Sequence, residues 1–93
     1  TTKTKNTSQY VRLTGYFELI RVYCQKNDYR EVLAHLNKLR DLSQDDQIRE
    51  MIDTKIQLVM VYRNIAKPLD DQVMDDLEKI FKEYLKKHIL ETA

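Results

Sequence analysis

Glycine, proline and cysteine each occur once in this sequence, and tryptophan not at all. With one glycine and one proline the chain lacks the residues that punctuate the many turns of a sandwich or barrel, which argues against an all-β fold. A lone cysteine, Cys24, allows no internal disulfide, so the domain is held by packing and fits a reducing compartment, cytosol or nucleus. No apolar run approaches the length that spans a bilayer, and no signal-peptide core is visible. Charge of one sign is also missing. Sixteen basic and fifteen acidic residues leave +1, which gives no long-range pull toward nucleic acid or anionic membrane.

What is present is enough for one core. Of the 93 residues, 42% are hydrophobic and 33% charged, which fits a single folded domain and is too apolar for wholesale disorder. The chain opens on Thr1-Thr2-Lys3 without a methionine, and we read it as a piece of a longer protein. Thr1 to Thr7, polar with Lys3 and Lys5, read as a disordered basic lead-in to one domain over 8–93.

The hydrophobic spacing is helical throughout. Tyr10, Leu13, Phe17, Ile20 and Cys24 line one face of a first helix. Gly15 inside it costs roughly 1 kcal/mol against alanine, so either it admits a neighbouring helix closely or it breaks the first helix. Asp28 and Glu31 are spaced as a capping box for a second helix, whose stripe is Tyr29, Val32, Leu33, Leu36 and Leu39. The short link at about Gln25 to Asn27 forces an antiparallel hairpin. Ser43 is spaced to cap a third helix with Asp45 and Asp46 in its first turn and Ile48, Met51, Ile52, Lys55 and Val59 along one face. Leu58 to Tyr62 is apolar all round, which marks that helix as the central element. Pro68 ends the segment, and a last helix from about Asp70 to Leu90 carries the cleanest stripe, from Val73 through Leu77 and Phe81 to His88. The expected fold is an all-α compact bundle of four to five helices built from antiparallel hairpins.

Catalytic and metal chemistry find little support. His35 and His88 lie in different helices, and one cysteine cannot complete a zinc site, so no metal ligand is assigned. No glycine-rich loop can cradle phosphate, and no cofactor is implied. Ser43 reads as a cap, and Ser8 has no local base. Asp45/Asp46 and Asp75/Asp76 are adjacent residues about 100° apart on a helix and do not converge on one substrate. They read as solvated faces, and no enzyme activity is expected.

Charge is unevenly spread. Residues 1–42 sum to +4 and residues 43–93 to −3. The acidic group Asp70, Asp71, Asp75 and Asp76 either matches the helix dipole or attracts a basic partner. The two lead-in lysines are too few for useful nucleic-acid affinity. More telling are the interhelical links Val22 to Asn27 and Ile65 to Leu69, which hold apolar residues that a solvated turn does not need. Placed at one end of the bundle they would frame a small hydrophobic notch for a peptide, unless Ile65 and Leu69 merely close the core beneath the turn. In the docking reading, aspartate at Leu69 or Lys26 weakens binding without unfolding the domain.

Asp28 through Leu42, with Leu36, Leu39 and Leu42 in a Leu-x-x-Leu-x-x-Leu pattern, resembles the second helix of the integrase-binding domain. That domain belongs to the lens-epithelium-derived and hepatoma-derived-growth-factor-related proteins. Thr54 followed by Ile56, Met60 and Arg63 is similar to the Thr-led central helix of the wider TFIIS N-terminal-domain group, and Gln72-Val73 opens a comparable last helix. The resemblance covers about Ser8 to Leu90.

It implies a nuclear, chromatin- or transcription-associated adaptor that captures disordered peptide motifs, acidic with a phenylalanine anchor, at its interhelical links. The matching positions are Cys24, Gln25, Lys26 and Asn27, and Ala66, Lys67, Pro68 and Leu69. Cys24-Gln25 stands where the best-known members carry Ile-Asp, which removes a charge from the family's ligand contact. Pro68 and Leu69 replace a Phe and a Val. The module is expected to be monomeric, without direct nucleic-acid or membrane contact. The alternative is a tetratricopeptide-like repeat or oligomerisation piece of a cytoplasmic scaffold, burying the Tyr16/Tyr23 side of helix one, although no second copy recurs near 34 residues.

Overall fold

The computed structural model describes the backbone of residues 2–87 and the side chains from Tyr10 onward. Four helices follow one another: α1 (Thr2–Gln25), α2 (Tyr29–Leu42), α3 (Asp46–Asn64) and α4 (Asp71–Leu85). They run alternately up and down, and α1 and α3 each pack on both α2 and α4, so the bundle closes as a ring of four. The architecture is the expected all-α bundle, with four helices among the described residues. α1 is drawn from Thr2, over the stretch read above as a lead-in. His88 and Leu90, expected on the last stripe, lie outside the described residues.

The core follows the stripes. Leu13, Ile20 and Cys24 from α1 meet Val32, Leu36 and Leu39 from α2, Ile48, Ile52 and Val59 from α3, and Val73, Leu77, Ile80 and Tyr84 from α4. No helix is central. In a ring of four every helix keeps a solvent face, so the apolar run 58–62 is not enclosed: Val59 is buried, yet Val61 is 51% exposed.

Three helix starts are fixed by aspartate. Asp28, Asp45 and Asp70 each accept a hydrogen bond from the amide three residues on, at 3.3, 3.0 and 3.1 Å. Only half of the expected Asp28/Glu31 box forms, because the Asp28 amide donates to Tyr23 O at 2.9 Å. α3 begins two residues later than expected. Ser43 ends α2 instead of capping α3, and its buried hydroxyl accepts from the Asp45 amide at 3.2 Å, leaving the Asp45 carboxylate to cap.

The far end of α4 closes onto the α2–α3 link. Tyr84 donates to Leu39 O at 3.3 Å, and Lys87 reaches Gln47 Oε1 at 2.8 Å and Asp45 at 3.5 Å. Halfway along, Lys55 of α3 donates to Asp76 of α4 at 2.7 Å, and that bond is the leading reason the Asp76 carboxyl is held below its ordinary range. Burial pushes the Cys24 thiol from 9.0 to about 11 and the Tyr84 phenol from 10.0 to about 12. Both acids stay protonated in the fold after the unfolded chain has lost its protons. The stability this gives is complete below pH 9 and is lost as pH rises to 12. A urea midpoint followed across that window should fall, and should fall less steeply in Tyr84→Phe.

Gly15 neither breaks α1 nor admits a neighbour. The helix runs through it, and a Cβ there would meet nothing within 4 Å. Conversely, Ala66 holds a left-handed backbone (φ 55°) where glycine is at ease. The glycine and this alanine would each suit the other's position. Gly15→Ala and Ala66→Gly should each stabilise the fold by about 0.5–1 kcal/mol in chemical denaturation.

Candidate functional site

Both links at the upper end of the bundle are built by one device. α1 ends as Asn27 turns left-handed (φ 55°), with the Asn27 amide donating to Cys24 O and the Asp28 amide to Tyr23 O. α3 ends the same way at Ala66, whose amide donates to Arg63 O while the Lys67 amide donates to Tyr62 O. These are paired Schellman motifs, formed here with no glycine. In the second the usual contact between the flanking side chains is a cation over a ring, Lys67 Nζ standing 4.7 Å from the centre of Tyr62.

The links are then tied to each other. The Asn27 side-chain oxygen accepts from the Leu69 amide at 2.8 Å, and the Tyr29 hydroxyl donates to Lys67 O. Two long-range bonds between consecutive hairpins thus make one platform from segments 42 and 38 residues apart.

The eight positions singled out from the sequence divide. Gln25, Lys26, Asn27, Ala66, Lys67 and Pro68 are exposed on this end. Cys24 and Leu69 are not surface residues: they are 1% and 8% exposed and belong to the core. Leu69 therefore does close the core beneath the turn, and aspartate there would not spare the fold. Ile65 behaves oppositely. At 63% exposed it is an apolar side chain presented to solvent, one turn beyond the exposed Val61. This end accordingly exposes Ile65 together with Lys26 and Lys67, while the Asp28 and Asp70 carboxylates of the two links are engaged as caps.

The seam between α1 and α4 was not foreseen. It contains a cavity of about 160 Å³ with Phe17, Met74, Leu77 and Phe81 among its walls. That is below the 300–1,000 Å³ typical of cofactor or drug-sized ligand sites and suits a single side chain. The sequence signal was the apolar series 74, 77, 81 flanked by the acidic series 71, 75, 78. Spacing leaves the acidic residues as either a dipole match or a draw for a basic partner and does not place them beside a groove, because periodicity does not say which helix lies across.

Elsewhere the chemistry is structural. His35 is buried, with Nδ1 2.8 Å from Glu31 O, and its ring packs 6.1 and 5.4 Å from those of Tyr16 and Tyr23. The Tyr16/Tyr23 side of α1, expected to be free for a stack or dimer, is thus engaged with α2 inside the chain. Arg40 Nε lies 2.6 Å from Asp53 on a half-exposed surface, a pair worth little to stability. Among the described residues no group of three or more His, Cys, Asp or Glu is arranged to hold a metal ion, and no helix is long and apolar enough to cross a membrane.

Comparison of the chain with protein-family models, with curated proteins and with solved structures finds no match. The assignment of function therefore rests on the platform's own geometry.

Proposed function

We propose that this chain is a non-catalytic interaction module that docks short disordered acidic-aromatic motifs on the platform formed by links 22–28 and 65–70. The observation that carries the reading is the pair of bonds from Asn27 to Leu69 and from Tyr29 to Lys67. They hold the exposed Gln25, Lys26, Ile65 and Lys67 on a backbone that is already ordered. A fixed platform matters because a disordered ligand loses entropy on binding, and a receptor that is already ordered adds less to that cost.

Ile65 and Val61 supply apolar area for an aromatic anchor. Lys26, Arg63 and Lys67 supply the charges that meet Glu and Asp, and the exposed Gln25 amide remains able to bond a ligand backbone. The setting we propose, a monomeric adaptor of chromatin or transcription in the nucleus, draws its support from the sequence resemblance carried by Leu36, Leu39 and Leu42 and by Thr54, Ile56, Met60 and Arg63, although Thr54 lies within α3 and does not lead it.

Binding of a fluorescent peptide rich in Glu, Asp and Phe tests the reading. Ile65→Asp and the double variant Lys26→Glu/Lys67→Glu should each weaken it at least tenfold while circular dichroism stays unchanged. Unaltered affinity in both would remove the platform as the site.

A further inference from the structure

On α4 the exposed carboxylates Asp71, Asp75 and Glu78 form a stripe at spacings of four and three residues. Only Asp71 sits in the first turn, where the helix dipole rewards a negative charge, and the effect has faded by the second turn. Like charges at this spacing repel by a few tenths of a kcal/mol per pair. Lys79 and Lys82, each one turn beyond an acidic residue of the stripe, form no ion pair with it, and among the described residues none of the three carboxylates has an ion-pair partner. By contrast Asp76, on the other side of α4, is paired to Lys55.

The stripe borders the α1–α4 seam. The 160 Å³ cavity has Phe17, Met74, Leu77 and Phe81 in its walls, Phe17 and Phe81 meeting at 4.6 Å between ring centres. Glu18 and Arg21 edge it from α1, and the hollow continues past Met74 to Gln25 and Asp71. The Thr14 hydroxyl, also in the wall, is shielded from solvent without a hydrogen-bond partner among the described residues. Four carboxylates against one guanidinium thus surround an apolar trough that runs lengthwise between two helices. Such a rim repels nucleic acid and anionic lipid and attracts cations, while the apolar part of the trough takes an aliphatic side chain.

We propose that the α1–α4 groove docks a basic amphipathic helix of another protein. An apolar side chain of that helix seats against Phe17, Met74 and Phe81, and its lysines or arginines pair with Glu18, Asp75 and Glu78. This surface meets the link platform at Gln25 but has the opposite charge preference, so the module has two docking faces. Helix-in-groove recognition reads the partner at i, i+3, i+4 and i+7, which is the pitch of the acidic stripe itself.

The test uses the 93-residue chain and a synthetic 16-residue amphipathic helix of leucine and lysine. A control peptide has glutamate for every lysine. Amide shifts and fluorescence anisotropy are recorded at low and moderate salt. The lysine peptide should bind, more weakly as salt rises, with shifts confined to residues 14–25 and 71–81. The control should not bind. The double variant Asp75→Lys/Glu78→Lys, whose sites are exposed, should lose at least tenfold in affinity for the lysine peptide with its helicity intact, and should gain affinity for the control. Equal binding of both peptides, an unaffected double variant, or shifts on another face would overturn the proposal. So would mass that rises with protein concentration while the same amides shift without peptide, since the occupant would then be a second copy. Shifts limited to the link platform would leave that site standing and this one refuted.

Discussion

Aspartate at Leu69 should strongly destabilise the bundle, while aspartate at Ile65, four residues earlier in the same link, should leave its stability intact. Leu69 is 8% exposed, and its amide is held by the Asn27 side chain. Truncating a buried leucine to alanine costs about 2–5 kcal/mol. Aspartate also puts a carboxylate into an apolar site, so the loss should reach about 4 kcal/mol or more. Domains of this size are stable by only about 5–15 kcal/mol, so a large share of the margin is consumed. At Ile65 the side chain already lies in water, and the change should stay within about 0.5 kcal/mol. Urea denaturation of the two variants decides the matter. A loss below 1 kcal/mol for Leu69→Asp would contradict its place in the core. A folded Ile65→Asp that has lost the peptide assigns exposed Ile65 to binding and buried Leu69 to support.

The second large effect is expected at Asn27. Its left-handed backbone ends α1, and its side chain joins the two links. Asn27→Ala removes the acceptor from the Leu69 amide, about 1–3 kcal/mol where the donor is shielded. It also puts an ordinary residue where asparagine is tolerated, about 1 kcal/mol more. Asn27→Gly loses the bond but eases the backbone, and should cost about half as much. Hydrogen exchange gives the local readout: the Leu69 amide should be protected in the parent chain and exchange faster in both variants. If alanine and glycine cost the same, the backbone contributes nothing. If neither accelerates exchange at Leu69, the tie between links is not formed in solution.

The four amphipathic segments could be read from spacing because each helix buries one stripe, and the Asp28 and Asp70 starts because each aspartate directly precedes one. The start of α3 could not. Ser43 and Asp45 are both good caps, and the choice falls to the tertiary link, which buries the serine and leaves the aspartate free to cap. The apolar run 58–62 misled for a related reason: hydrophobicity on all sides implies burial only where neighbours exist on all sides, and Val61 has none.

That the two links share one end follows from alternating hairpins, and was legible. Which of their residues turn inward was not, since Cys24 and Leu69 sit among exposed neighbours. The left-handed turn at Ala66 carries no compositional sign. The α1–α4 groove lay furthest from view, because it joins the first and last helices and no local pattern pairs them.

The central claim is that links 22–28 and 65–70 form one docking platform, and a titration of the isotope-labelled chain with a disordered peptide rich in Glu, Asp and Phe addresses it most directly. The account predicts amide shifts confined to residues 22–28 and 61–70, saturating with one affinity and absent in Ile65→Asp. No shifts, or shifts spread along the outer face of a single helix, would contradict it.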